Sequence, residues 1–149
     1  MSGSTLRFTI AGVLFFHGIG HLMGVIPALG LIRTGESSPA AFRNWSSRSW
    51  LLTNLLGDTA ASIVCGLLFA AGFVCTVGAG LSLIGWLLPH QGWRTLALAA
   101  AVVSLVAVAL YWNALMLLFP HKVGALSVDI TILVCLLWLN WPSEAAIGL

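Results

Sequence analysis

Apolar residues occur in four long runs along the chain, and short polar or turn-forming stretches separate the runs. A helix needs about 20 apolar residues to cross the hydrocarbon core of a bilayer, so each run provides roughly one span. Turn residues at 89–92 and 120–122 separate the last three runs. The pattern predicts membrane-spanning helices over residues 6–32, 58–88, 93–119 and 124–141.

The apolar stretch 51–88 is too long for one span and too short for two, so the start of its helix has to be located. Gly57 and Asp58 interrupt the stretch, and aspartate is a favoured residue at a helix start. The second span is therefore predicted to begin at Asp58. The preceding segment 33–57 starts as a polar loop and then mixes arginine with tryptophan, which predicts a short helix over 40–50 at the lipid headgroups.

Tryptophan positions favour an up-and-down arrangement of the four spans, because the indole ring prefers the membrane interface. In that arrangement four tryptophans mark one face and two mark the other: Trp86, Trp93, Trp138 and Trp141 against Trp45 and Trp50. The sequence thus predicts an all-α fold. One transmembrane domain over residues 1–149 would form a four-helix up-down bundle with a short interfacial segment between spans one and two.

Composition supports a membrane location. The chain is 60% hydrophobic and 7% charged, with a mean hydropathy of +1.05, whereas a soluble domain has about a quarter of its residues charged. A lipid bilayer is the expected partner. The net charge of +2 is scattered without a basic run, so a nucleic-acid partner is not expected. Four basic residues in the first and third loops, against two on the other face, place both termini outside.

Two histidines, His17 and His21, lie one helical turn apart inside the first run. Positions i and i+4 project about 40° apart on one helix face and about 6 Å apart along the axis. Gly20 and Gly24 belong to the same face, and small residues let a neighbouring helix approach closely. The pair is therefore predicted to face the bundle interior, where three roles stay open: structural hydrogen bonding, contact with a ligand or proton, and ligation of a metal or haem.

Further polar residues are predicted to gather in the half of the bilayer nearest the first and third loops. The candidate pocket residues are His17, His21, Asn54, Asp58, Tyr111, Asn113 and Asp129. Asp58 and Asp129 lie near predicted helix starts, where a carboxylate also caps free amide groups. Hydrogen bonds from Tyr111 and Asn113 to other helices would explain these two residues equally well, without a role in a pocket. The asymmetry predicts a polar pocket that opens toward one face.

A metal site is one alternative for this cluster. A single transition metal would be held by His17, His21, Asp58 and Asp129. The glutamate of the H-E-x-x-H motif is missing, because Gly18 and Ile19 stand between the histidines. Haem is disfavoured, since two histidines on one helix face cannot reach an iron from opposite sides. Proton transfer between a histidine and an aspartate is another alternative, although the chain has no inverted repeat of the transporter type.

The layout resembles the small bacterial four-span membrane proteins grouped as DoxX-like. The resemblance rests on the stretch His17-Gly18-Ile19-Gly20-His21, on Gly72, Gly78 and Gly80 in the second run, and on Trp93-Arg94 at the start of the third. It implies a location in the bacterial cytoplasmic membrane. Because such families include accessory subunits of membrane oxidoreductases, it also favours a non-catalytic partner, and it transfers no active-site residue.

The leading hypothesis is a small multi-pass membrane protein that acts as a binding or accessory subunit rather than an enzyme. Its polar histidine, aspartate and asparagine pocket would lie in one leaflet. The alternatives are a metal-dependent, oxidoreductase-like membrane enzyme that uses His17 and His21 with the two aspartates, and a proton-coupled carrier. Small-residue positions such as Gly78 and Gly80 are compatible with a homo-oligomer or a larger membrane complex.

Overall fold

The computed structural model describes residues 2–39, 42–43, 45–112 and 119–149, and their regular structure is helical. Five helices follow one another: α1 Gly3–Ala28, α2 Leu52–Leu56, α3 Asp58–Ile84, α4 Trp93–Leu110 and α5 Phe119–Leu133. One π-helical turn, Val134–Trp138, continues α5, and 3-10 turns cover His90–Gly92 and Ala145–Ile147. These ranges contain no strand, so the all-α prediction is confirmed for the described residues.

Three helical segments are long and apolar enough to cross a membrane: Gly3–Ala28, Asp58–Ile84 and His90–Leu110. The last apolar run differs from its prediction, because α5 begins at Phe119 and not near residue 124. Residues 120–122, predicted as a turn, belong to α5 instead. Pro120 falls in the first helical turn, where a missing N–H costs no hydrogen bond, so it starts the helix and does not separate two spans.

Glycine residues with positive φ set both ends of α3. Gly57 precedes the helix at φ 82°, and Asp58 occupies the first turn without a side-chain capping bond. The carboxylate there still interacts favourably with the positive end of the helix dipole. Gly85 ends the helix in the left-handed conformation at φ 71°, a backbone geometry that glycine adopts without a steric penalty. The predicted start at Asp58 thus depends on the glycine before it.

Helices α1 and α3 lie antiparallel at close range. Phe15 lies against Gly80, Gly18 against Val77, His21 against Gly72, and Phe69 against Gly24. A Cβ atom built on Gly24 would come within 2.4 Å of Cγ of Phe69, closer than real atoms approach. The small residues of the two helices are therefore what allows their close packing.

Helix α4 lies antiparallel to both of its sequence neighbours. Near its end, the hydroxyl of Tyr111 donates to the carbonyl of Ala61, at the start of α3, over 2.5 Å. Near its start, Arg94 donates to Asn140, after α5, over 2.7 Å. Buried apolar residues form two clusters at opposite ends of the helices, one around Leu83 and Trp93 and one around Phe69 and Tyr111. A polar layer lies between the two clusters.

The segment between α1 and α3 covers the ends of the helices. Its described residues form a helix only over Leu52–Leu56, so the described part of 40–50 does not form the predicted interfacial helix. Trp45 is buried with its ring centroid 6.1 Å from that of Phe69, and Trp50 donates to the carbonyl of Ala109 over 2.8 Å. Trp45 and Trp93 are core residues and not interface markers, whereas the other tryptophans of the predicted belts are exposed.

The contact between Gly24 and Phe69 gives a direct test of the α1–α3 packing. Gly24→Ala is expected to lower the free energy of unfolding in detergent by about 1–3 kcal/mol, because the added methyl group collides with the phenyl ring. The matched variant Gly20→Ala has no atom within 4 Å of the new Cβ. It is expected to leave that free energy unchanged or to raise it by up to about 1 kcal/mol. Equal losses in both variants would contradict this packing.

Candidate functional site

A buried carboxylate joins three helices at the centre of the molecule. Oδ1 of Asp129 on α5 lies 2.8 Å from Nε2 of His17 on α1, which donates to it. Oδ2 of the same carboxylate accepts a hydrogen bond from the hydroxyl of Ser104 on α4, over 2.5 Å. Asp129 is 0% exposed. Both oxygens have partners, as a carboxylate buried among apolar side chains requires.

The carboxylate lies near the middle of its helix. Asp129 follows the first residue of α5 by ten positions, which is about 15 Å along the helix axis. It was predicted near the start of the last span, where a capping role was open. At its observed depth it cannot cap α5, because all free amide groups of a helix lie in the first turn. Its partners are side chains of other helices.

His21 occupies a different environment from His17. It is 5% exposed, and its ring lies edge-on to that of His17 with 5.0 Å between centroids. On the other side the ring lies against Gly72 of α3, where a Cβ would come within 3.0 Å of Cε1. Within the described part of the chain, Nε2 of His21 has no hydrogen-bond partner. A buried ring nitrogen without a partner is costly, so this atom is the site's unsatisfied group.

Two cavities lie in series beside the polar cluster, along the seam between α1 and α5. The larger has a volume of about 460 Å³ and is lined by Val13, Phe16, His17, Gly20, His21, Met23, Phe69, Ser104, Val108, Lys122, Gly124, Ala125 and Val128. The smaller, of about 370 Å³, is lined by residues of α1, α4, α5 and the chain after it, among them Leu6, Ile10, Trp93 and Ile132. Both volumes fall in the range of small-molecule sites.

Of the seven predicted pocket residues, His17, His21 and Asp129 come together. Asn54 is exposed and donates to the carbonyl of Trp50 over 3.3 Å. Tyr111 is buried and bonded to Ala61, so it joins two helices in the structural role that the sequence left open. Asn113 lies outside the described residues.

Asp58 is separate from the cluster. It is 68% exposed and pairs with Arg48 over 3.0 Å. It precedes Gly72, the neighbour of His21, by fourteen residues of α3, which is about 21 Å. Within the described ranges no three histidine, cysteine or acidic side chains are grouped so that they could hold a metal ion. The predicted ligand set of His17, His21, Asp58 and Asp129 is therefore not assembled.

Two residues of the site were missed from the sequence. Ser104 is not among the predicted pocket residues, but it supplies the second bond to Asp129. Lys122 was placed in a turn, whereas it lies in α5 and lines the larger cavity. The available signal for Ser104 was its position on the same helix face as Ala97, Ala101 and Val108, which are all buried.

Replacing the buried carboxylate tests the cluster. Asp129→Ala is expected to lower the free energy of unfolding by about 3–5 kcal/mol, because His17 and Ser104 lose a partner in an apolar environment. Asp58→Ala removes the exposed pair with Arg48 and is expected to cost no more than about 1 kcal/mol. Denaturant titration in the same detergent measures both changes. A loss below about 1 kcal/mol for Asp129→Ala would show that the carboxylate is not buried as described.

The chain was compared with protein-family models, with characterised proteins and with solved structures, and none of these matches it. The resemblance to DoxX-like proteins therefore stays a prediction. The function of the site has to be inferred from its geometry.

Proposed function

We propose that the protein is an integral membrane protein whose four long helical segments cross the bilayer. Together, α5 and the π-helical turn cover residues 119–138, about 30 Å of helix, which matches the hydrocarbon thickness. Large apolar side chains such as Phe16, Leu67 and Val74 are exposed, as expected of a surface that lipid covers. The positive-inside rule places both termini outside the cytoplasmic membrane of a bacterium.

We further propose that the protein binds a small amphipathic molecule between α1 and α5, either on its own or as a subunit of a larger membrane complex. One observation carries this proposal: a cavity of about 460 Å³, mostly lined by apolar side chains, contains His17, His21 and Ser104 at one place on its wall. An apolar wall with a few polar groups is the usual form of a ligand pocket. The polar part of the wall would orient the head group of such a ligand.

Binding is favoured over catalysis by the bonds that the polar groups already make. Nε2 of His17 is held by Asp129, and the hydroxyl of Ser104 donates to the other oxygen of the same carboxylate. A serine nucleophile is usually activated by a histidine that accepts its proton, whereas the partner of Ser104 is a carboxylate that is already bonded to His17. The cluster is thus suited to hold its shape while a ligand occupies the cavity.

A proton-coupled carrier is the second candidate. The observation in its favour is the depth of the histidine and aspartate, since a titratable pair in the middle of membrane helices often marks a proton path. His21, in ring contact with His17 at 5.0 Å, would extend the path toward the larger cavity. Uptake by reconstituted vesicles that depends on a pH gradient, and that Asp129→Asn abolishes, would favour this candidate over simple binding.

Filling the larger cavity tests the binding proposal. Gly20 lines this cavity and Gly12 lines neither cavity, and an added Cβ atom meets no atom within 4 Å at either position. A photoactivatable hexadecanol is expected to label α1 and α5 of the wild-type protein in lipid nanodiscs, and to saturate. Gly20→Trp should reduce this labelling at least about tenfold, the effect of losing roughly 1.4 kcal/mol of binding free energy.

Gly12→Trp is the control, and it should label like the wild type because its indole ring lies outside the seam. Equal labelling of the two tryptophan variants would contradict a ligand in this cavity, as would labelling that never saturates.

A further inference from the structure

The only lysine of the chain lies at one end of the larger cavity. Lys122 is in the first turn of α5, and its Nζ donates to the carbonyl of Trp112 over 2.7 Å and lies 4.9 Å from the centroid of the indole ring. An ammonium group has three N–H donors, so two are left for other partners. Among the described residues, the lysine is also the only charged one that lines this cavity. The cavity therefore has a positive end.

His21 lies on the same side of the central cluster as Lys122. Because α1 and α5 are antiparallel and meet at His17 and Asp129, distances along both helices can be counted from that contact. His21 lies four residues beyond His17, about 6 Å along the axis, and Lys122 lies seven residues before Asp129, about 10 Å in the same direction. Along the helix axes, the side chains of His21 and Lys122 are thus offset by only about one helical turn.

The smaller cavity extends the seam in the opposite direction. Val13 and Val128 line both cavities, so the two adjoin at this pair. From Leu6 to Met23 the lining residues of α1 cover about 25 Å. None of the described residues that line the smaller cavity is charged, and its wall is almost entirely apolar. The seam thus has a polar end and a long apolar remainder.

We propose that this seam binds a long-chain carboxylic acid, with the carboxylate between Lys122 and His21 and the chain extending past Val13 and Val128 into the smaller cavity. This inference rests on the proposed binding function. Charge complementarity favours the acid, because the carboxylate would accept a hydrogen bond from the ammonium group of Lys122, which lines the cavity together with the His21 ring.

The carboxylate of Asp129 does not oppose an acidic ligand at this end. Asp129 lines neither cavity, and both of its oxygens are engaged by His17 and Ser104. The ligand head would lie between His21 and Lys122, about 6 to 10 Å along the helix axes from the contact of His17 with Asp129. A hydrogen-bonded carboxylate at that distance leaves the lysine as the nearest charge.

The head-group test compares hexadecanoic acid with hexadecanol at alkaline pH, where the acid is ionised, in nanodiscs of neutral lipid. The acid should displace the photoactivatable hexadecanol at a concentration at least about tenfold lower than the alcohol. In Lys122→Gln this preference should fall below about threefold, and Lys122→Arg should restore it. Arg33→Gln removes an exposed positive charge of the first loop and should leave the preference unchanged.

The chain test uses the valine pair between the cavities. Val128→Trp should weaken binding of hexadecanoic acid at least about tenfold while octanoic acid, which ends before the junction, loses less than about threefold. Val102→Trp introduces the same side chain at an exposed position of α4 that lines neither cavity, and it should change neither acid.

The outcomes separate the two proposals. Saturable binding without a preference for the acid, or a preference that survives Lys122→Gln, overturns the carboxylic acid and leaves the binding function standing. Equal losses for the long and the short acid in Val128→Trp overturn the assigned path of the chain. Absence of saturable binding for both the acid and the alcohol overturns the binding function itself.

Discussion

The structure depends on one constraint, the burial of the Asp129 carboxylate among apolar helices. A carboxylate removed from water is stable only where other groups replace its hydration, and here His17 and Ser104 do so from two different helices. Because the two oxygens are bonded to residues of two different helices, the register of α1 and of α4 relative to α5 is fixed at the same depth. The apolar clusters at the two ends of the molecule then pack around a layer whose position is already determined.

The helices are not packed equally well against one another. Gly18, Gly24 and Gly72 allow α1 and α3 to approach until side chains of one touch the backbone of the other. Between α1 and α5 no comparable fit exists, and the two cavities occupy the space. The bond between His17 and Asp129 crosses this open seam. One hydrogen-bonded pair thus connects helices whose apolar surfaces leave room for a ligand.

This difference in packing explains how a binding site can exist in so short a chain. A tightly packed bundle of four helices has no internal space, since cavities cost free energy through lost contacts. The polar pair stabilises the arrangement without filling the seam, and a ligand of the proposed kind would supply the missing apolar contacts. Lys122 and His21 make one end of this space polar, while the rest of its wall is mostly apolar.

The sequence predicted the helical class and the inward orientation of the histidines, because both follow from local composition and from the spacing of two residues on one helix. It also predicted that Asp129 would join them. The remaining members of the predicted pocket depended on where each helix begins. Because Pro120 was interpreted as a helix break, Asp129 was predicted near a helix start and Lys122 in a turn, whereas both lie within α5.

Contacts between residues far apart in the chain could not be predicted from the sequence pattern. Asp58 and Asp129 are chemically equivalent in the chain, yet one is exposed beside Arg48 and the other is buried beside His17. Only the arrangement of the helices distinguishes them. The role of Ser104 was equally hard to predict, because a serine hydroxyl in a helix can instead bond to a backbone carbonyl of its own helix.

The central claim is that His17 and Asp129 form a bond on which the register of the helices depends, and a double-mutant cycle measures that bond most directly. The free energies of unfolding of the wild type, His17→Ala, Asp129→Ala and the double variant would be compared in the same bilayer mimic. The account predicts a coupling free energy of at least about 1.5 kcal/mol, well above the average of about 0.6 kcal/mol for a hydrogen bond between membrane helices. A coupling below about 0.5 kcal/mol would contradict it.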